Sequence, residues 1–203
     1  IRGTRRMLPD DEIFPRPARI EVEVGDPMPR HGRTVRQRYE GASHWPFLAE
    51  VKRHVGSRTV LGSGDLFSAQ ACLDMLRQTG IDGVTVARGA IGNPWIFQQA
   101  RALAAGRPLP PPPTVHQQRD VILEHYRLAE ELYGEQYCGP LMRKFGIKYS
   151  ALHPQHEQVR MAFIKIRSRQ DWEAALDQWY GEDLPGNCPA DAAEGCQTGQ
   201  FGE

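Results

Sequence analysis

Two short stretches carry the residue types most able to do chemistry. One is Leu61-Gly-Ser-Gly-Asp65 and the other is Val86-Ala-Arg-Gly-Ala-Ile-Gly-Asn-Pro-Trp-Ile-Phe97. Each runs from an apolar strand pattern into a glycine-containing turn and then into a helix pattern. Such turns let backbone N–H groups converge on an anion, and the helix N-terminus behind them adds positive dipole. Two such turns, one strand–helix unit apart, are what a (β/α)8 barrel places at its mouth, where the last two strands grip a phosphate.

The elements needed to position these turns are legible around them. Ser43 is placed to cap a helix carrying Phe47, Leu48, Val51 and Val55, which Gly56 ends. Thr59-Val-Leu61 reads as a buried strand. Ser68 caps a helix with the stripe Ala69, Cys72, Leu73 and Leu76, and Gly80 stops it. Gly83-Val-Thr-Val86 is the next strand, and Asn93-Pro94 suits the start of a helix with Pro in its first turn. Helices alternating with strands predict a parallel sheet.

Pro108-Leu-Pro-Pro-Pro-Pro113 marks a boundary, read as a stiff spacer. Beyond it the strand signals stop. Thr114 and Gln117 form a capping box ahead of a face made of Val115, Ile122, Tyr126, Ala129 and Tyr133. Further helices are expected over about Gly139 to Phe145, through Val159, Ala162, Phe163 and Ile166, and near Trp172 to Trp179. The expected fold class is therefore α/β: the last strands of a (β/α)8 TIM barrel, then a small all-α domain. The divisions are 1–30 unassigned, 31–106 barrel, 107–113 linker, 114–181 helical domain and 182–203 acidic flexible tail.

Composition excludes several classes. The formal net charge is zero across 203 residues, and mean hydropathy is −0.54. No apolar run approaches the roughly 20 residues a membrane span needs. Cys72, Cys138, Cys188 and Cys196 form no C-x-x-C pair, and no His cluster stands at zinc spacing, so no metal is expected. Cys72 reads as a buried helix residue; Cys188 and Cys196 could pair, though nothing demands it. No leader is visible, and a reduced, cytoplasmic compartment is expected. The neutral total hides an asymmetry: from Leu141 to Arg169 seven Lys or Arg stand against one acid, Glu157. Such a block suits a polyanion, or is simply a solvated helix face beside an acidic tail.

Order and spacing join these turns to His31-Gly-Arg-Thr34, Gln37, Tyr39-Glu-Gly41 and Trp45 before them, and to Met142-Arg-Lys144 and Tyr149 after them. With these residues the chain resembles the tRNA-dihydrouridine synthases over about residues 31–180. The resemblance implies FMN at a barrel mouth, NADPH as reductant, and reduction of a uridine in tRNA to 5,6-dihydrouridine. The base is turned out of the folded RNA to reach the pocket. It implies that His31 lies against the flavin, that Ser63, Gly64 and Asp65 contact FMN, and that Ala87 and Arg88 hold its phosphate. Arg143, Lys144 and Arg160 become candidates for tRNA phosphates.

The chain departs from the family pattern in two ways. The usual Asn-Gly-Asp turn is Ser63-Gly64-Asp65 here, which loses an amide. The pattern also begins at His31, where five barrel strands should already have passed, and the 30 preceding residues do not resemble them. The catalytic cysteine belongs to that half, and neither Cys72 nor Cys138 stands where it should. This abrupt onset implies a truncated gene product, exposed sheet edges, and a chain inactive on its own. A non-catalytic RNA-binding remnant is the alternative function, and another phosphate-binding barrel enzyme is a third.

Overall fold

A computed structural model describes residues 42–188. Helix α1 (Trp45–Val55) leads to strand β1 (Leu61–Gly62), helix α2 (Ala69–Thr79) and strand β2 (Gly83–Val84). A 3-10 turn over Arg88–Ala90 precedes α3 (Ile96–Ala104). Four more helices follow: α4 (Val115–Tyr133), α5 (Glu135–Tyr149), α6 (His156–Lys165) and α7 (Arg169–Trp179). Among the described residues the protein is thus mostly helical, with one parallel strand pair in the register Leu61 to Gly83 and Gly62 to Val84.

Most local signals act as expected. The Ser68 hydroxyl accepts the Ala71 N–H at 3.0 Å, and Gly80 closes α2 in the left-handed region at φ 66°. Thr114 and Gln117 form the reciprocal capping box of α4. Cys72 is buried.

Five local features depart from expectation. Ser43 does not cap α1: the helix begins at Trp45 with His44 as its N-cap residue, so Ser43 stands one position too early, and its N–H instead donates to the Asp65 carboxylate at 2.8 Å. The strands are shorter than the apolar runs predicted for them, and Leu61 stays 52% exposed, since a two-stranded pair has little to cover it. The helix after Asn93-Pro94 starts only at Ile96, because the Asn93 carbonyl accepts the Ile96 N–H in an intervening turn at 3.3 Å. Helix α5 runs well past both ends of the Gly139–Phe145 segment expected for it. Its neighbour α4 loses Tyr133 from the inward face: this residue is 54% exposed where the helix ends.

Two apolar clusters form. The smaller contains Leu66, Cys72, Met75, Ile81 and Ile96. The larger gathers α4 to α7 around Ile122, Met142, Phe163 and Trp172, and it also includes Trp95 from the first half. Gly92 sits where the halves meet, at φ 80°; a Cβ there would lie 2.5 Å from the Lys148 carbonyl carbon. The proline segment is not a free spacer. Residues after α7 return along it: Leu184 accepts the Val115 N–H at 2.9 Å, and the Asn187 N–H reaches the Leu152 carbonyl at 2.7 Å. The Asp183 carboxylate also accepts the His116 N–H at 2.9 Å. The acidic stretch expected to fray from 182 is therefore pinned through 187, by two backbone pairs and the Asp183 carboxylate.

Candidate functional site: a pocket between two glycine turns

The strand pair aims both of its C-terminal turns to the same side. Between them lies a pocket of about 280 Å³, with walls from Ser63 to Phe67, from Ala87 to Gly89, and from the start of α1. Ser63, Gly64, Asp65, Ala87 and Arg88 all line it. His31 lies outside the described residues.

The backbone at the first turn is unusual. Gly64 has φ 135°, and Asp65 is a non-glycine residue at φ 54°, a conformation Asp tolerates better than most side chains. Two long-range contacts hold it. Trp45 Nε1 donates to the Gly64 carbonyl at 3.1 Å, and the Asp65 carboxylate accepts from Ser43 N–H through one oxygen. Its other oxygen accepts from Arg88 at 2.8 Å. A Cβ on Gly64 would lie 2.6 Å from Ser43 Cβ. The second turn is as tight: a Cβ on Gly89 would lie 2.0 Å from the Leu66 carbonyl oxygen. Glycine is required at both positions, and the result is a narrow polar cradle.

Arg88 is the cation of this cradle. Its guanidinium pairs with Asp65 and lies 5.2 Å from the centroid of the Phe67 ring. The side chain is 42% exposed, so the ion pair contributes little to stability. Its value is orientation: the pair holds the guanidinium at the pocket wall.

The residues present fit one end of an FMN molecule. The cradle has the donors and the close backbone approach that a phosphate requires. Its volume lies just below the ~300–1,000 Å³ common for whole ligands, so it suits the phosphate end rather than the entire cofactor. Sequence patterning gives no direct sign of Ser43 or Phe67 at this site. The signal for Ser43 lies in the Gly-Asp pair, whose left-handed turn needs an outside anchor.

The basic candidates lie elsewhere. Lys144 and Arg160 are exposed on α5 and α6, and Arg143 is half-buried. Lys144 Nζ stands 5.1 Å from the Phe145 ring centroid. Arg169, part of the same basic block, is committed to Glu130 at 2.8 Å and Glu173 at 3.1 Å. Neither Cys72 nor Cys138 lines the pocket. Both are buried, and burial pushes the Cys72 thiol up to about 11. Among the described residues no group of His, Cys, Asp and Glu is placed to hold a metal ion, and no helix is long and apolar enough to cross a membrane.

Comparison with known proteins shows the family. The family model described as dihydrouridine synthase matches residues 29–183. A probable tRNA-dihydrouridine synthase of Mycobacterium tuberculosis (strain CDC 1551 / Oshkosh) is 34% identical over 161 residues, covering 79% of this chain and 41% of the relative. The tRNA-dihydrouridine synthase B of Xanthomonas axonopodis pv. citri (strain 306) is 34% identical over 182 residues, covering 89% and 54%. A probable tRNA-dihydrouridine synthase of Rickettsia bellii (strain RML369-C) is 35% identical over 160 residues, covering 77% and 49%. The chain spans about half the length of these curated relatives. The matched region contains both turns, the junction at Gly92 and the helices beyond, and the chain belongs to the dihydrouridine synthase family.

Proposed function

We propose that the chain is the FMN- and tRNA-contacting portion of a tRNA-dihydrouridine synthase. The observation that carries this reading is the convergence of Ser63, Gly64, Asp65, Ala87 and Arg88 on one cradle. In this reading residues 31–106 are the closing part of a (β/α)8 barrel and 114–181 grip RNA. Asp65 and Ser43 hold the first turn open, Arg88 and the Ala87 backbone take the FMN phosphate, and His31 lies against the flavin. FMN, reduced by NADPH, supplies the hydride for the uridine double bond; the protein positions it. Arg143, Lys144 and Arg160 contact tRNA phosphates, which makes binding salt-sensitive and blind to sequence. The family's proton-donating cysteine has no counterpart in the matched residues.

The first test is the visible spectrum of the purified chain with and without added FMN. A bound-flavin spectrum that Arg88→Met weakens at least tenfold, as expected for losing a charge-assisted bond worth about 1.5–3 kcal/mol, supports the reading. NADPH-driven loss of uridine absorbance in unmodified tRNA then tests turnover. The pocket's small volume favours a second reading, RNA binding without catalysis. Retained tRNA binding with no flavin uptake at micromolar FMN would select it.

A further inference from the structure

Helix α1 approaches the first glycine turn closely enough to control its backbone. The approach needs the missing Cβ of Gly64, which would lie 2.6 Å from Ser43 Cβ and 2.7 Å from its Oγ. That same missing Cβ leaves the turn easy to rotate. One glycine therefore both admits α1 and makes the turn depend on it.

The unit that rotates is the peptide between Gly64 and Asp65. It is planar and trans, so its carbonyl and its N–H point to opposite sides. Gly64 stands at φ 135° and Asp65 at φ 54°. Half a turn of this peptide would return Asp65 to negative φ, the region that side chains prefer, and would move the carboxylate little. It would also exchange the places of the Gly64 carbonyl and the Asp65 N–H. Where the turn now presents a donor, it would present an oxygen. A pocket that takes an anion gains from the donor and loses from the oxygen. The backbone alone favours the rotated state, because the observed one holds Asp65 at positive φ.

A contact from α1 opposes the rotation at the peptide itself. Trp45 Nε1 donates to the Gly64 carbonyl at 3.1 Å. The Ser43 and Arg88 contacts grip the Asp65 carboxylate instead, and a rotation that leaves the side chain in place would spare them. Trp45 is the first residue of α1, and its side chain packs against the smaller apolar cluster. The donor is therefore fixed by packing that does not involve the turn's own hydrogen bonds.

We propose that Trp45 is a positioning residue that sets the polarity of this turn. Its N–H keeps the Gly64 carbonyl on the α1 side, and the Asp65 N–H thereby faces the FMN phosphate. The proposal rests on the FMN reading above, and goes beyond it by naming the residue that decides which way the peptide faces.

The test uses the full chain, titrated with FMN and separately with riboflavin, which lacks the phosphate; flavin fluorescence reads both. Trp45→Phe keeps a ring against the apolar cluster and removes the N–H. It should weaken FMN binding about tenfold, the scale of one hydrogen bond to a charged group, and leave riboflavin binding unchanged. A residue that merely supports the fold would weaken both flavins alike, and that outcome would overturn the proposal. Unaltered FMN affinity in the variant would also overturn it and leave the FMN reading intact. Circular dichroism melting checks that the variant folds. If it does not, magnetic resonance of the wild type with isotope-labelled aspartate decides. The Asp65 amide proton should move downfield with FMN and not with riboflavin; an amide that does not distinguish the two flavins would overturn the proposal. No binding of either flavin by the wild type would overturn the FMN reading and the proposal together.

Discussion

Acid should reach this fold through His153. The side chain is 1% exposed. Its Nε2 lies 2.8 Å from the Trp179 carbonyl, and its Nδ1 accepts the Gln155 N–H at 3.0 Å. An Nδ1 that accepts carries no proton, so the ring is neutral with its hydrogen on Nε2. It ties the start of α6 to the end of α7. A second proton would oppose the Gln155 donor and put a charge beside the Tyr180 ring, whose centroid is 5.0 Å away. Burial accordingly holds the His153 pKa below its ordinary value. His125, packed 4.7 Å from the Phe145 ring, is lowered for the same reason. The unfolded chain takes up these protons near pH 6.5, where the folded chain still refuses them. The unfolded state then binds more protons, so stability is full above about pH 6.5 and falls as pH drops toward each folded-state pKa. Each withheld proton contributes about 1.4 kcal/mol per pH unit, and the two histidines together a limiting slope of about 2.7 kcal/mol. Urea unfolding at about pH 7.5, 6.5 and 5.5, above the carboxylate range, measures that slope. His153→Asn keeps a donor and an acceptor but does not titrate, and should halve the slope. An undiminished slope in that variant would refute the reasoning.

Other expectations follow from single residues. Gly92→Ala meets the Lys148 and Tyr149 backbone at φ 80° and should lower stability by about 3 kcal/mol, combining left-handed strain with overpacking. Gly134→Ala, at φ 84° with open space around it, should lose only about 1–2 kcal/mol; equal urea midpoints for the two would contradict the packed junction. Thr114→Ala removes one arm of the α4 capping box and should lower stability by about 1 kcal/mol in the same assay. Replacing Arg143, Lys144 and Arg160 together by Met should flatten the salt dependence of tRNA binding by almost one unit for each phosphate that these side chains neutralise. A slope that does not move would place the RNA grip elsewhere.

What the sequence by itself determined is local. Ser68, Gly80, Thr114 and Gln117 act on backbone groups within four residues, so their caps could be read directly. The two glycine turns and the change from strand–helix alternation to helices alone were visible for the same reason. His31 and its neighbours remain a sequence match, because they lie outside the described residues. Tertiary structure decided what the turns do together. The Asp65–Arg88 pair spans 23 residues, and the Ser43 N–H that holds Asp65 spans 22. Neither follows from periodicity, since each depends on how the strand pair and α1 pack. The same holds for the junction. Proline composition suggested a spacer, but Trp95 shares a core with α4 to α7 and Leu184 hydrogen-bonds to Val115. Burial of apolar surface and pairing of backbone groups set that arrangement, and neither leaves a fixed spacing in the chain.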